Sequence, residues 1–225
     1  MSIQIRYKEP PGVTAKTVSV LASFCNYNAE KGKMRREGDG WVYEANLPAG
    51  EYYYKFLING SLLLNDPAAN CYAPRNGEEK ELWSFLRVAF LGKRLFNNTQ
   101  YSVTVEDYAL SAILAESGEP EKHKFNTKLD KRVVARFGFT GIKGVHAVTV
   151  LWCDPMGCIK EYSEQMLLPE ENKASLWFWL DLKQPERREG KWTMKLYIDG
   201  TYVLEDGFRL GNAFLYDRTG RIKQY

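Results

Sequence analysis

Residues 50–60 of the chain are Gly50-Glu51-Tyr52-Tyr53-Tyr54-Lys55-Phe56-Leu57-Ile58-Asn59-Gly60. They alternate with the two-residue period of a β-strand and end in Asn-Gly, the dipeptide most strongly associated with tight hairpin turns. One face of the predicted strand is apolar, and Lys55 lies on the opposite face. The run therefore predicts a hairpin with a returning strand, and the pattern continues into Leu62-Leu63-Leu64-Asn65-Asp66-Pro67.

A second segment has nearly the same design. Residues 190–206 align without gaps on residues 50–66, with Asp199-Gly200 at the turn and Lys195 at the position of Lys55. The alignment predicts a second hairpin with an apolar face made by Trp192, Met194, Leu196 and Ile198. Duplication of one module and convergence on one hairpin chemistry both explain the likeness.

The rest of the second half is typical of short strands joined by turns. Residues 131–139, 146–152 and 175–182 alternate like strands, and Asp154-Pro155-Met156-Gly157 supplies a turn. Residues 105–114 have helical spacing after a possible cap at Thr104, but they stand where the first strand of this half must begin. We predict a strand there.

The first ninety or so residues resemble a known family. Residues 3–7, 16–28, 38–50 and 50–67 follow, in the correct order, the strands and the Leu-Pro turn of one sugar-binding module, including the pattern Gly-Glu-x-x-Tyr-Lys-Phe-x-x-Asn-Gly. This order resembles the glycogen-binding domain of AMP-activated protein kinase β subunits and the family 48 carbohydrate-binding modules. Residues 100–211 are similar, more loosely, to immunoglobulin-like accessory domains of bacterial proteins.

The resemblance implies an all-β chain of two tandem immunoglobulin-like β-sandwiches of the early-set type. We predict one sandwich over residues 1–91 and another over residues 100–225, the second with a C-terminal extension. The pattern breaks between residues 92 and 100, where we expect the halves to be separable.

The resemblance also implies a sugar site built from two aromatic residues, a lysine and an asparagine. Lys55 matches the lysine, and Tyr27 stands at the first aromatic position. The second aromatic position falls near Leu62 or Leu63. The asparagine falls near Trp83 or Ser84, and Trp83 is a candidate replacement for the missing ring. We expect Tyr27 and Lys55 to be exposed, and we expect any sugar to bind the first sandwich alone.

Composition excludes several classes of function. The 31 basic and 28 acidic residues give a net charge of only +3, which does not favour nucleic acid. No apolar run approaches the ~20 residues of a membrane-spanning helix, and no signal-peptide pattern begins the chain, so we predict a cytoplasmic protein without a membrane partner. The four cysteines lack zinc-site spacing, so we expect reduced thiols, no metal and no cofactor.

The sequence carries no catalytic motif. His123 lies in a polar run and His146 begins an apolar strand, where a structural histidine is the more common reading. Enzymes with the resembling modules carry their chemistry in a separate barrel domain, for which this chain has no room. We therefore expect no enzymatic activity.

The leading hypothesis is a non-catalytic α-glucan-binding protein whose partner is a glucan or maltooligosaccharide. The alternative is a structural or interaction adaptor that kept the fold and lost sugar binding. A third possibility adds a protein partner, such as a glucan-metabolising enzyme that this chain would serve as a subunit.

Overall fold

The computed structural model describes residues 2–69, 71–75, 81–89, 94–95, 102–114, 121–169, 173–184, 187–212, 215–216 and 222–223. Within these residues the regular secondary structure is β-strand, apart from the 3-10 turn at Ser23–Cys25 and 3-10 geometry at Arg75. None of them forms a helix of the length and apolar character that crossing a membrane requires. The predicted all-β fold class is confirmed.

In the described part of the first half, nine strands form two sheets. They are β1 (Ile3–Lys8), β2 (Val18–Ala22), β3 (Arg35–Glu37), β4 (Gly40–Ala45), β5 (Gly50–Ile58), β6 (Leu62–Leu64), β7 (Cys71–Pro74), β8 (Leu82–Val88) and β9 (Arg94–Leu95). One sheet has the order β1-β4-β3, and the other has the order β2-β5-β8-β7 with β6 on β5 and β9 on β8. Apolar side chains from both sheets form one core, as in a β-sandwich.

The second half repeats this architecture with eight strands among its described residues up to 212. They are β10 (Ser102–Ser111), β11 (Lys124–Asn126), β12 (Arg132–Lys143), β13 (His146–Cys153), β14 (Ile159–Leu167), β15 (Lys173–Asp181), β16 (Gly190–Ile198) and β17 (Thr201–Gly211). The sheets β10-β12-β15 and β11-β17-β16-β13-β14 enclose a second core. A final pair, β18 (Leu215–Tyr216) and β19 (Ile222–Lys223), forms a separate two-stranded sheet. The chain is thus a tandem of two immunoglobulin-like β-sandwiches.

Both predicted hairpins are confirmed. Asn59, Gly60, Asp199 and Gly200 have φ values of 52°, 71°, 53° and 82°, which are the positive angles that the favoured two-residue hairpin turn requires. The apolar face of β5 enters the first core, and that of β16 enters the second. Lys55 and Lys195 lie on the opposite faces, as the strand period predicts.

The strand prediction for the ambiguous segment is also confirmed, and its helical spacing has a structural cause. β10 pairs with β12 through two register shifts, one of which lies between Val105 and Asp107. Such a bulge moves the core-facing side chains from odd to even positions. Val105 and Tyr108 consequently pack on the same core although three residues separate them, which is the spacing of a helix.

The two sandwiches are in contact. Most of the predicted boundary at residues 92–100 lies outside the described residues, and Arg94–Leu95 pair with β8. The first core includes Leu151, Cys153 and Tyr197, which belong to β13 and β16 of the second sandwich. The outer face of the five-stranded sheet therefore packs against the first sandwich.

Candidate functional site at the junction of the two sandwiches

Lys55 is enclosed between the two sandwiches. Its side chain is only 2% exposed, and its Nζ lies 3.2 Å from Oε1 of Glu81 and 2.9 Å from Oε1 of Glu164. Glu81 precedes β8, whereas Glu164 lies on β14 of the second sandwich. The expectation that Lys55 would be exposed is therefore wrong, because β14 covers the outer face of β5 on which the lysine stands.

The Glu164 carboxylate is hydrogen-bonded to a second residue besides Lys55. Thr149 on β13 donates a hydrogen bond of 3.3 Å from Oγ1 to Oε2 of Glu164, so both carboxylate oxygens are engaged. Burial raises the pKa of the Glu164 carboxyl, and the Lys55 ammonium offsets only part of that rise. The pair is thus a desolvated contact between two distant parts of the chain.

The aromatic residues of the predicted site form a small cluster beside this ion pair. The rings of Tyr27 and Trp83 meet edge to face with centroids 5.4 Å apart. The guanidinium of Arg75 lies 4.5 Å from the Tyr27 ring centroid and 4.8 Å from that of Trp83. Lys55 Nζ lies 5.4 Å from the Trp83 ring centroid, so two cations approach this indole.

Exposure differs between the two rings. Trp83 is buried, and its Nε1 donates to Oε2 of Glu81 over 3.2 Å. Tyr27 is half-buried and follows the 3-10 turn with a φ of 53°. Of the sequence-predicted site residues in this cluster, Tyr27 alone is not buried.

The positions near the missing second ring have structural roles. Leu62 is buried in the first core, whereas Leu63 is half-buried on the opposite face of β6. Burial raises the pKa of Tyr162 on β14, and a hydrogen bond from the Leu63 backbone opposes the rise. Ser84, the other candidate for the asparagine position, is buried and donates to Oδ1 of Asn65 over 3.0 Å.

The structure therefore brings Tyr27, Lys55 and Trp83 together and places Leu62 elsewhere. Sequence reasoning missed Arg75, Glu81 and Glu164. Glu164 is 109 residues from Lys55 in sequence, and one carboxylate on a strand of mixed polarity gives no signal of its partner.

Both ring nitrogens of His146 are engaged by oxygen atoms of the protein. Its Nδ1 lies 2.6 Å from Oδ2 of Asp199, and its Nε2 lies 3.2 Å from the carbonyl oxygen of Ser102 and 3.0 Å from that of Lys143. Burial opposes protonation, but the Asp199 carboxylate and the two carbonyls outweigh it and raise the pKa of His146. The ring, at the beginning of β13, joins the turn between β16 and β17 to the beginning of β10 and the end of β12.

One group of side chains has the composition of a metal site. Glu121, His123 and Asp206 bring one ligand atom each to within 4.8 Å of one another. His123 Nε2 lies 2.7 Å from Oδ2 of Asp206, an oxygen that also accepts a hydrogen bond from the hydroxyl of Tyr108. The group is partly exposed, and its members already satisfy one another. The four cysteines, all within the described residues, form no disulfide.

The sequence matches no family and no curated protein. Similar solved structures include an immunoglobulin-like protein from Pseudomonas aeruginosa, with 18% identity over 50% of this chain and 98% of that one at a TM-score of 0.37. A β-glucosidase from Listeria innocua in complex with glucose matches with 11% identity over 53% of this chain at a TM-score of 0.34. A maltogenic amylase from S. marinus matches with 15% identity over 89% of this chain at a TM-score of 0.33.

The chain spans only 17% of the glucosidase and 25% of the amylase. At these TM-scores none of the three structures indicates a function, and the assignment of two β-sandwiches rests on the sheets themselves.

Proposed function

We propose that this chain is a non-catalytic interaction protein made of two joined immunoglobulin-like sandwiches. In this proposal, the face that glycogen-binding modules use for sugar serves instead as the contact between the sandwiches. The observation that carries the proposal is the 2.9 Å ion pair between Lys55 and Glu164, in which the lysine side chain is 2% exposed.

The energetics favour this reading over sugar binding at Lys55. A hydrogen bond from a charged lysine to a sugar hydroxyl contributes about 1.5–3 kcal/mol net, because water competes for it. Separating a buried ion pair costs about 3–5 kcal/mol when one charge is left without its partner. A glucan would have to displace Glu164 to reach Lys55, and the exchange would be unfavourable.

The absence of catalysis is part of the proposal. In the region that the structure describes, both nitrogens of His146 face acceptors, so this ring has no free lone pair to act as a base. His123 is paired with Asp206.

Affinity electrophoresis tests the proposal. In native gels that contain glycogen or amylopectin, the wild-type protein should migrate as it does in gels without glucan. A glycogen-binding module run beside it gives the positive control. Retardation of the wild type by either glucan would overturn the proposed loss of sugar binding.

α-Glucan binding remains the second candidate, because Tyr27 favours it. Tyr27 is partly exposed, and the adjacent Arg75 guanidinium offers donors for sugar hydroxyls. Stacking on a single ring would then supply most of the affinity. This candidate predicts retardation that Tyr27→Ala abolishes. The matched control is Tyr53→Ala, at another half-buried tyrosine of the same sandwich.

A further inference from the structure

The cluster of Glu121, His123 and Asp206 joins two parts of the second sandwich. Glu121 and His123 lie in the chain that leads into β11, whereas Asp206 lies on β17. One nitrogen or oxygen atom from each side chain lies within 4.8 Å of the other two, and no other such trio occurs in the described ranges. Sequence reasoning missed the cluster, because 83 residues separate His123 from Asp206.

The backbone holds the first two residues in place. The amide of Lys122 donates to the carbonyl of Leu110 on β10 over 2.9 Å, and the amide of Arg209 on β17 donates to the carbonyl of His123 over 2.8 Å. The segment is thus fixed to a strand of each sheet. The side chains of Glu121 and His123 lie on the same side of it, with 3.7 Å between Oε1 and Nε2.

The distances within the cluster suit a small cation. His123 Nε2 lies 2.7 Å from Asp206 Oδ2 and 3.7 Å from Glu121 Oε1. A tetrahedral Zn²⁺ with bonds of about 2.0–2.2 Å holds its ligand atoms roughly 3.3–3.6 Å apart. The two measured distances lie on either side of that range, so shifts of less than about 1 Å at the side-chain ends would admit the ion.

The hydrogen bond between His123 and Asp206 occupies the place that a metal ion would take. It runs through Nε2 of the ring and Oδ2 of the carboxylate. Because metal ligands must be deprotonated, an entering ion replaces the hydrogen on Nε2, and the neutral ring then carries its proton on Nδ1. The contacts inside the cluster are therefore those expected of the site without its metal.

The cluster has an excess of negative charge. Its two carboxylates outnumber its single imidazole, and within the part of the chain that the structure describes neither Glu121 nor Asp206 pairs with a lysine or an arginine. The neighbouring Lys122 pairs instead with Asp130, over 2.7 Å. A divalent cation would balance this charge, because a bound ion becomes the largest charge in its site.

Asp206 is oriented by hydrogen bonds outside the trio. Its Oδ1 accepts from the backbone amide of Gly207 over 2.7 Å, and its Oδ2 accepts from the hydroxyl of Tyr108. The Tyr108 ring stacks on Phe137 of the second core, with ring centroids 5.9 Å apart. Such outer partners fix the direction of a metal ligand, and an ionised carboxylate oxygen can accept more than one contact.

We propose that Glu121, His123 and Asp206 form a Zn²⁺ site, with Nε2 of the imidazole and one oxygen of each carboxylate as ligands. An imidazole beside carboxylates suits Zn²⁺ better than Mg²⁺ or Ca²⁺, which prefer oxygen ligands alone. A water completes the four ligands. The ion would tie the chain before β11 to β17 and, through Tyr108, to β10 of the opposite sheet. No cysteine takes part, so cysteine spacing does not argue against this site.

Calorimetric titration of the EDTA-treated full chain with ZnCl2 tests the site. We expect one Zn²⁺ per chain, with affinity at least about tenfold lower in His123→Gln and in Glu121→Gln. Glu106→Gln is the matched control, since the side chains of Glu106 and Glu121 are 53% and 57% exposed, and it should bind Zn²⁺ like the wild type. MgCl2 should give no saturable binding at the same concentrations.

Two further measurements separate this site from other ligands. Tyr108→Phe keeps the stacked ring and removes the hydroxyl that orients Asp206, so it should weaken Zn²⁺ binding about ten- to a hundredfold. CoCl2 in place of ZnCl2 should give no thiolate-to-cobalt charge-transfer band, because the ligands are nitrogen and oxygen.

Three results would overturn the inference: no saturable binding of Zn²⁺, affinity that His123→Gln leaves unchanged, or a charge-transfer band that assigns the metal to cysteines. If far-ultraviolet circular dichroism shows that His123→Gln fails to fold, Glu121→Gln at the exposed ligand decides instead. The site does not depend on the proposed interaction function, and the glycogen gel responds only to sugar, so the two proposals fail separately.

Discussion

Lys55 of the first sandwich and Glu164 of the second form an ion pair with 2.9 Å between Nζ and Oε1, although 109 residues separate them in sequence. The pair stands at the position where the sequence resemblance predicts a lysine for sugar. Its burial leaves that lysine with protein carboxylates as its partners, and Glu81 completes the group at 3.2 Å. The junction between the sandwiches therefore depends on a charged contact as well as on apolar packing.

The turns of the two hairpins predict different tolerance to alanine. Gly60 and Gly200 occupy equivalent positions with φ values of 71° and 82°, and a non-glycine residue at such angles costs roughly 1–2 kcal/mol. A Cβ on Gly60 would meet nothing within 4 Å, whereas one on Gly200 would lie 2.1 Å from the carbonyl oxygen of Asn65. We expect Gly200→Ala to lower the free energy of unfolding by at least about 2 kcal/mol more than Gly60→Ala does.

Urea denaturation of the two variants measures this difference. Equal losses of unfolding free energy in the two variants would mean that the turn between β16 and β17 does not pack closely against the first sandwich in solution.

His146 predicts a stability that falls as pH rises. Asp199 and two backbone carbonyls raise the pKa of His146 in the folded chain above its ordinary value of 6.5. The native state therefore holds this proton more tightly than the unfolded state does. The resulting stabilisation is complete below about pH 6.5 and is lost as the pH rises through the folded pKa, with a slope of at most about 1.4 kcal/mol per pH unit for one proton.

Urea midpoints from about pH 6 to pH 9 should show this decline in the wild type. His146→Gln should be less stable at the lower end and should have a flatter profile, because glutamine does not titrate. His123→Gln is the control at the other histidine of the chain. A decline that survives in His146→Gln would assign the dependence to another group.

The shared core predicts that the two sandwiches unfold together. Leu151, Cys153 and Tyr197 of the second sandwich belong to the first hydrophobic core, so unfolding either half exposes apolar surface of the other. We expect one transition in urea with coincident curves by tryptophan fluorescence and far-ultraviolet circular dichroism. Two separated transitions would favour the separable halves that the sequence alone predicts.

The hairpins were predictable from sequence because their signals are local. An alternating strand followed by Asn59-Gly60 or Asp199-Gly200 specifies a turn whose positive φ values few other dipeptides adopt. The strand at residues 102–111 was harder to predict, because a bulge near Val105 disturbs the two-residue period. The place of this segment at the start of the second sandwich predicts the strand correctly, whereas its apolar spacing is that of a helix.

The surroundings of Lys55 were not predictable in the same way. The strand period gives the face on which the lysine lies, but it does not reveal what covers that face. Glu164 reaches Lys55 through the packing of β14 against β5, which depends on the relative position of two sandwiches. A contact between residues so far apart in sequence cannot be predicted from the local sequence around either residue.

A comparison with a surface pair predicts how much the junction contributes to stability. Arg87 and Glu51 link β8 to β5 with side chains 58% and 49% exposed, and an exposed pair contributes at most about 1 kcal/mol. Lys55→Met, which leaves Glu81 and Glu164 without their cation, should cost about 3–5 kcal/mol. Arg87→Met should cost less than about 1 kcal/mol, and similar losses in the two variants would contradict the burial of Lys55.

The most direct test of the junction is a double-mutant cycle between Lys55→Met and Glu164→Gln, measured as free energies of unfolding in urea. Side chains in direct contact couple by about 0.5–3 kcal/mol, whereas distant ones add to within about 0.5 kcal/mol. For this buried pair we predict a coupling near the upper end, about 2 kcal/mol or more. Additive losses would show that Lys55 and Glu164 do not meet, and the face of β5 would then be open to sugar.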